Sequence, residues 1–194
     1  MRKLIVLIAA AALLTGCGGA ATTSSSTSSP SPSASTSGAA PSAEQTAWAG
    51  GVCTATATLK KNVQGLASAV TSGGSDVSAA LSAQMATVKA SATALTTAVT
   101  AVPAGSESDP EAAAVKASAS KFTASLSTLE SSVTSLGGTS GMSKVTALAS
   151  VGGAAADSLS KLGATAAAIK TAAVDGKSTL GQAFATAPSC SSLR

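Results

Sequence analysis

The chain reads as an all-α protein, an up-down-up-down four-helix bundle closed by a short C-terminal helix. Three observations predict this. Four segments of about 27–33 residues carry apolar side chains spaced alternately by three and four, the interval that keeps one stripe of an α-helix on a single side. Glycine and proline stand between the segments, and short turns make consecutive helices antiparallel neighbours. No segment sustains the period-two alternation of a half-buried strand.

The residues ahead of the bundle have a different character. Arg2 and Lys3 give a short positive start, and Leu4–Leu14 is an apolar run of eleven residues. That is about half the length a membrane-spanning helix needs, and it matches the apolar core of an export signal. Leu14-Thr15-Gly16-Cys17 follows. The tetrapeptide resembles the lipobox of bacterial lipoproteins, in which an aliphatic residue and two small ones precede a cysteine, and all four positions match. The resemblance implies that signal peptidase II recognises Leu14, Thr15 and Gly16 and cuts before Cys17, so that 1–16 is a signal peptide. It also implies a diacylglycerol thioether on Cys17. Two acyl chains hold a protein firmly on a bilayer, at about 0.8 kcal/mol per buried methylene, where one chain does so only marginally. The expected place is the extracytoplasmic face of the cell membrane.

Residues 17–41 form the next unit. Gly18–Pro41 is almost wholly Gly, Ala, Ser, Thr and Pro, without charge or large apolar side chains. Such a segment buries too little surface to offset its ordering entropy, so a disordered tether is expected. It would span about 25–30 Å as a flexible coil and up to roughly 75 Å near polyproline II. Clustered Ser and Thr with Pro30, Pro32 and Pro41 is also the composition of O-glycosylated stalks.

The helical domain is expected over 42–194. Ser42-Ala43-Glu44-Gln45 reads as a capping box. The first seam is Val52, Thr56, Leu59, Val63, Leu66 and Val70, and Gly73-Gly74 breaks it. The second runs Leu81, Met85, Val88, Ala92, Leu95, Val99 and Val102, ending at Pro103-Ala104-Gly105. Asp109-Pro110-Glu111 restarts a helix, with Asp109 as N-cap, Pro110 at the first position and Glu111 favourable to the helix dipole. Its seam, Val115 to Leu136, closes at Gly137-Gly138. The fourth seam is Val145, Leu148, Gly152, Ala155, Leu159, Leu162, Ala166, Ile169 and Ala173. A short helix around Leu180 to Phe184 follows Asp175-Gly176. Gly50-Gly51 and Gly152-Gly153 lie inside helices, where they mark either kinks or close approaches.

In an up-down bundle the end of the fourth helix lies beside the start of the first. Cys53 stands near that start, and Cys190 follows the fourth helix with enough chain to fold back. Outside the cytoplasm the two are expected to form a disulfide, stabilising by about 5 kcal/mol on the chain-entropy account. Trp48-Ala49-Gly50-Gly51-Val52-Cys53 resembles the opening of small helical lipoproteins and secreted proteins of actinobacteria, in which a Trp precedes a Val-Cys pair. That family is mostly uncharacterised, so the resemblance implies a layout and no activity.

Chemistry is thinly provided. The chain has no His, which excludes Ser-His and Cys-His relays and leaves a cysteine metal site short of ligands. Gly176-Lys177-Ser178 matches the end of a phosphate-binding loop, but Thr171 stands where its first glycine belongs and a helix precedes it. Ser118-Ala119-Ser120-Lys121 and Ser158-Leu159-Ser160-Lys161 fit Ser-x-x-Lys, without the Lys-Thr-Gly that accompanies it in penicillin-binding proteins. Glu107, Asp109 and Glu111 cluster where capping accounts for them. Charge is equally uninformative. Taking Arg2 and Lys3 from the twelve basic residues leaves ten against eight acidic ones, too few and too scattered for a nucleic-acid footprint.

The expected function is therefore a membrane-anchored, non-catalytic interaction or structural module of the cell envelope, meeting an envelope protein or the cell wall. No catalytic residue, cofactor or metal is expected. A carrier of a small apolar ligand or lipid is the alternative, disfavoured because Ala, Val and Leu seams draw helices together and leave little room inside. An envelope hydrolase is third. Two contact surfaces stand out: the more basic fourth helix with Lys144, Lys161 and Lys170, and the bundle end carrying Trp48 and Phe184.

Overall fold

The computed structural model describes residues 39–72 and 76–193. The expected signal peptide, Leu14, Thr15, Gly16, the lipidation site Cys17, the tether up to residue 38 and the Gly73-Gly74 break all lie outside them. What is described is all-helical: α1 (Ala43–Ser72), α2 (Val77–Thr100), α3 (Pro110–Leu136), α4 (Gly141–Asp175), α5 (Thr179–Thr186) and a terminal 3-10 helix (Pro188–Leu193).

The expected start signals are made as drawn. Gln45 N donates to Ser42 Oγ at 3.1 Å while Ser42 N donates to Gln45 Oε1 at 2.9 Å, so the capping box closes in both directions. Asp109 is extended, with φ −67° and ψ 128°, and its carboxyl accepts from Glu111 N at 3.1 Å with Pro110 next to it. Gly176 ends α4 in the left-handed region at φ 50°, its N–H donating to the Ala172 carbonyl.

Packing follows chain order. α1 lies against α2, α2 against α3, α3 against α4, and α4 returns to α1, while among the described residues the pairs α1–α3 and α2–α4 do not approach. α5 and the 3-10 helix fold back over α1 and α4. The seams of the first three helices face inward: Val52 to Leu66, Leu81 to Val99, and the seam positions from Val115 to Leu136 are buried. Val70 and Val102, at the ends of their seams, are half-buried.

The fourth seam needs correction. Val145 is 61% exposed, and Leu148, Gly152, Leu159 and Ala166 are only half-buried. The inward line is instead Val151, Ala155, Ser158, Leu162, Thr165, Ile169, Ala172 and Ala173. Both lines share Ala155, Leu162, Ile169 and Ala173, but the helix is turned so that two hydroxyl residues take the core positions expected of Leu159 and Ala166. A buried hydroxyl is tolerated when hydrogen-bonded. Thr165 Oγ1 donates to the Lys161 carbonyl at 3.4 Å, and Ser158 and Ser125 Oγ atoms share a hydrogen bond of 3.3 Å across the α3–α4 contact.

Candidate functional site

One end of the molecule is closed. Cys53 on α1 and Cys190 on the 3-10 helix form the expected disulfide, with Cα atoms 5.0 Å apart and the two residues 137 positions apart in sequence. Trp48 and Phe184 meet edge to face beside it, ring centroids 5.3 Å apart, and the indole N–H donates to the Ala98 carbonyl at 2.8 Å. Trp48 is 8% exposed and Phe184 fully buried, so these aromatics seal the end and present no anchor to a partner. Gly50 belongs to the same closure. A Cβ there would meet Ser189 Oγ at 3.2 Å, and Ser189 donates to the Gly50 carbonyl at 2.9 Å. The first glycine of this pair serves a close approach; Gly51 faces open space. In the other pair a Cβ on Gly152 would make ordinary contact with Val70 and one on Gly153 none.

A polar corner joins α1, α3 and α5 at this end. Gln45 Nε2 donates to Ser106 Oγ at 2.9 Å and to Thr179 Oγ1 at 3.1 Å. Ser178, part of the phosphate-loop-like tripeptide, caps α5 by accepting from Gly181 N at 2.9 Å. Burial, and then the hydrogen bond that the protonated acid donates to the Glu111 carboxylate, push the Asp109 carboxyl up to about 6. The Glu111 carboxylate is held below its ordinary value, chiefly by that shared bond and further by the Ser178 hydroxyl. Below about pH 6 the pair thus holds one proton, on Asp109. Glu111 Oε2 is buried without a hydrogen-bond partner. With Asp109 spent on capping α3 and Ser178 on capping α5, the corner reads as a joint between the two helices.

Between the helices the surface is grooved. The α1–α2 groove, of about 670 Å³, has Gly50, Gly51, Ala55, Ala90, Ala94 and Ala98 in its walls. A groove of about 540 Å³ between α3 and α4 is lined by hydroxyls, among them Ser131, Ser135, Ser143 and Ser150. Several of these bond back to their own helices, as Ser135 does to the Ser131 carbonyl at 2.8 Å.

The outer side of α4 is the feature sequence reading missed. Among the described residues, Met142, Val145 and Val174 are the large apolar residues that stand exposed, at 83%, 61% and 73%. At 100° per residue all three fall on one face, opposite the buried line. Between them, at the same three-four spacing, lie Ala149, Gly153, Ala156, Ser160, Gly163, Ala167 and Thr171, all exposed and none charged. The lysines expected to mark this helix do not make one face: Lys161 and Lys170 point to opposite sides, Lys144 is half-buried, and Lys161 lies 3.9 Å from Asp157. The missed signal was a second apolar stripe on a helix already credited with one.

No protein-family model, curated protein or solved structure matches this chain.

Proposed function

We propose that the chain is a lipoprotein of the cell envelope, anchored through Cys17 on the extracytoplasmic face, whose up-down-up-down four-helix bundle acts by contact and performs no catalysis. The anchor rests on Leu14-Thr15-Gly16-Cys17 after an apolar run of eleven residues. The cyclic packing of α1 to α4 supports the bundle topology. One observation carries the contact reading: on α4 an uncharged, apolar face is turned outward, where a helix of a self-sufficient domain carries charge. The residues 17–41 serve as the tether that holds this surface off the bilayer, within reach of an envelope protein or the wall.

The carrier reading is second, and the α1–α2 groove favours it, because its volume of about 670 Å³ lies within the usual range for a small-molecule site. The anchor is tested by Cys17→Ala. The protein should leave the detergent-soluble membrane fraction or accumulate uncleaved; an unchanged mature size with continued membrane attachment contradicts the lipoprotein. Native mass spectrometry of the protein released from its own envelope separates the other two. A stoichiometric lipid or small molecule supports the carrier, and its absence together with a cross-linked protein neighbour supports contact.

A further inference from the structure

We infer that the outer face of α4 pairs with the same face of a second copy of the chain, antiparallel, about a two-fold axis near Ser158. This names the partner for the contact reading above and rests on it, but it uses no part of the anchor.

The face is nearly palindromic in size. Its large side chains, Met142 and Val145 at one end and Val174 at the other, flank a centre of Gly153, Ala156 and Gly163. Two rigid helices that cross come closest at one point and diverge from it, so they need small residues at the centre and longer ones outward. Reversing a second copy about residue 158 sets Met142 beside the partner copy's Val174, Ala149 beside its Ala167 and Gly153 beside its Gly163. Such a self-complementary contact is isologous and closes at two copies.

Charge agrees with the same register. Asp157 borders the face on one side and Lys161 lies about 40° further round toward the core, both about half exposed and only loosely paired within the chain at 3.9 Å. A two-fold axis of this kind brings equal borders together, and Asp157 of each copy falls two residues, about 3 Å along the axis, from Lys161 of the other. The exchange supplies direction and adds little affinity. Size sets the strength. A helix of 35 residues is about 50 Å long, and a strip about 10 Å wide covers at most roughly 1,000 Å² over both copies, at the lower edge of specific interfaces. The dimer is weak and reversible. A bilayer is the poorer occupant, since helices that lie in lipid headgroups carry Trp, Phe or Leu where this centre has Gly and Ala.

The test uses two differently tagged full-length copies expressed together in intact cells, one with Ala149→Cys and one with Ala167→Cys, treated with a short bis-maleimide. These positions are about 27 Å apart on one helix. Chains without added cysteines control for Cys17. The mixed pair should give a cross-linked dimer and Ala149→Cys alone should not. Adding Ala156→Glu, an exposed change on a helix whose fold is checked by circular dichroism, should lower the yield at least about tenfold, and Ala156→Ser should leave it. Ala149→Cys homodimers would overturn the antiparallel register. Adducts to a different protein would overturn self-pairing and leave the contact reading standing. Shielding of the thiol introduced by Ala149→Cys from an impermeant maleimide, without any cross-link, would overturn it in favour of the bilayer.

Discussion

The two ends of the bundle are built on different terms. At the closed end, α1, α5 and the 3-10 helix converge on the Cys53–Cys190 bridge, the Trp48–Phe184 pair and Ala49, Ala183 and Ala187, all buried or nearly so. At the other end the first ten residues of α4, 141–150, contain no buried side chain, and Met142 and Val145 face outward. Both ends are rich in small residues. What separates them is the start of α4: at the open end Leu66, Val77, Val133 and Leu136 are buried, but Met142 and Val145 stay outside that core. Stability is therefore concentrated where the chain is cross-linked, which leaves the outer side of α4 free for a second molecule.

The largest effect expected from that contrast comes from the bridge. Replacing Cys53 and Cys190 together by Ala should remove up to about 5 kcal/mol on the chain-entropy account, seen as a lower denaturant midpoint with a steeper slope, because the unbridged unfolded chain exposes more surface. A midpoint unchanged within error would mean that the closed end does not hold the fold.

Next is Gly181→Ala. A Cβ at Gly181 would lie 2.7 Å from the Ala172 carbonyl oxygen, a backbone atom that cannot swing aside. Driving α5 off α4 should destabilise by about 1–3 kcal/mol. Gly153→Ala, which meets open space within a helix, should instead stabilise slightly. Equal responses at the two glycines would erase the distinction between a sealed and an open surface.

A smaller and pH-dependent effect belongs to the polar corner. The Asp109 pKa, raised to about 6, makes its contribution to stability fully present below about pH 4 and lost as pH rises through 6. Glu111, lowered, works in the opposite sense: its contribution is present above its unfolded value and lost as pH falls through its folded one. Asp109→Asn keeps an N-cap acceptor and removes the first of these. The melting temperature of the native chain relative to the variant should fall between pH 4 and pH 7. A constant difference across that interval would show that the proton is not held there.

The smallest effect is expected at the open end. Met142→Ser with Val145→Ser should change stability by no more than about 0.5 kcal/mol, because neither side chain packs on the core. The same pair of changes should weaken self-association, so stability and contact part company at these residues.

Much of this was legible in the residues. Ser42 and Gln45, Asp109 and Pro110, and the seams of the first three helices were readable because each rule involved is local: a cap spans one turn, and Leu or Val at three-four spacing has one way to face inward. The disulfide was legible once the helix order was fixed, since bundle geometry brings Cys53 and Cys190 to one end. The fourth helix was harder. The seam drawn through Leu159 and Ala166 passed over Ser158 and Thr165, yet a hydroxyl bonded to a carbonyl one turn back, or to Ser125, is a small core residue. That error placed Val145 on the inside and hid the outer face. Gly181, whose lack of a side chain lets α5 settle on the end of α4, carried no signal, because a close tertiary approach leaves no mark on a single sequence.

Amide hydrogen exchange, followed residue by residue on the dilute oxidised protein, tests the division between the ends most directly. Amides of α1 around 49–59 should exchange only through global unfolding, and those of residues 145–150 in α4 should exchange at least about 100-fold faster through local opening. Reduction of the disulfide should bring the first group toward the second. Uniform protection along α1 and α4, unaltered by reduction, would contradict the account.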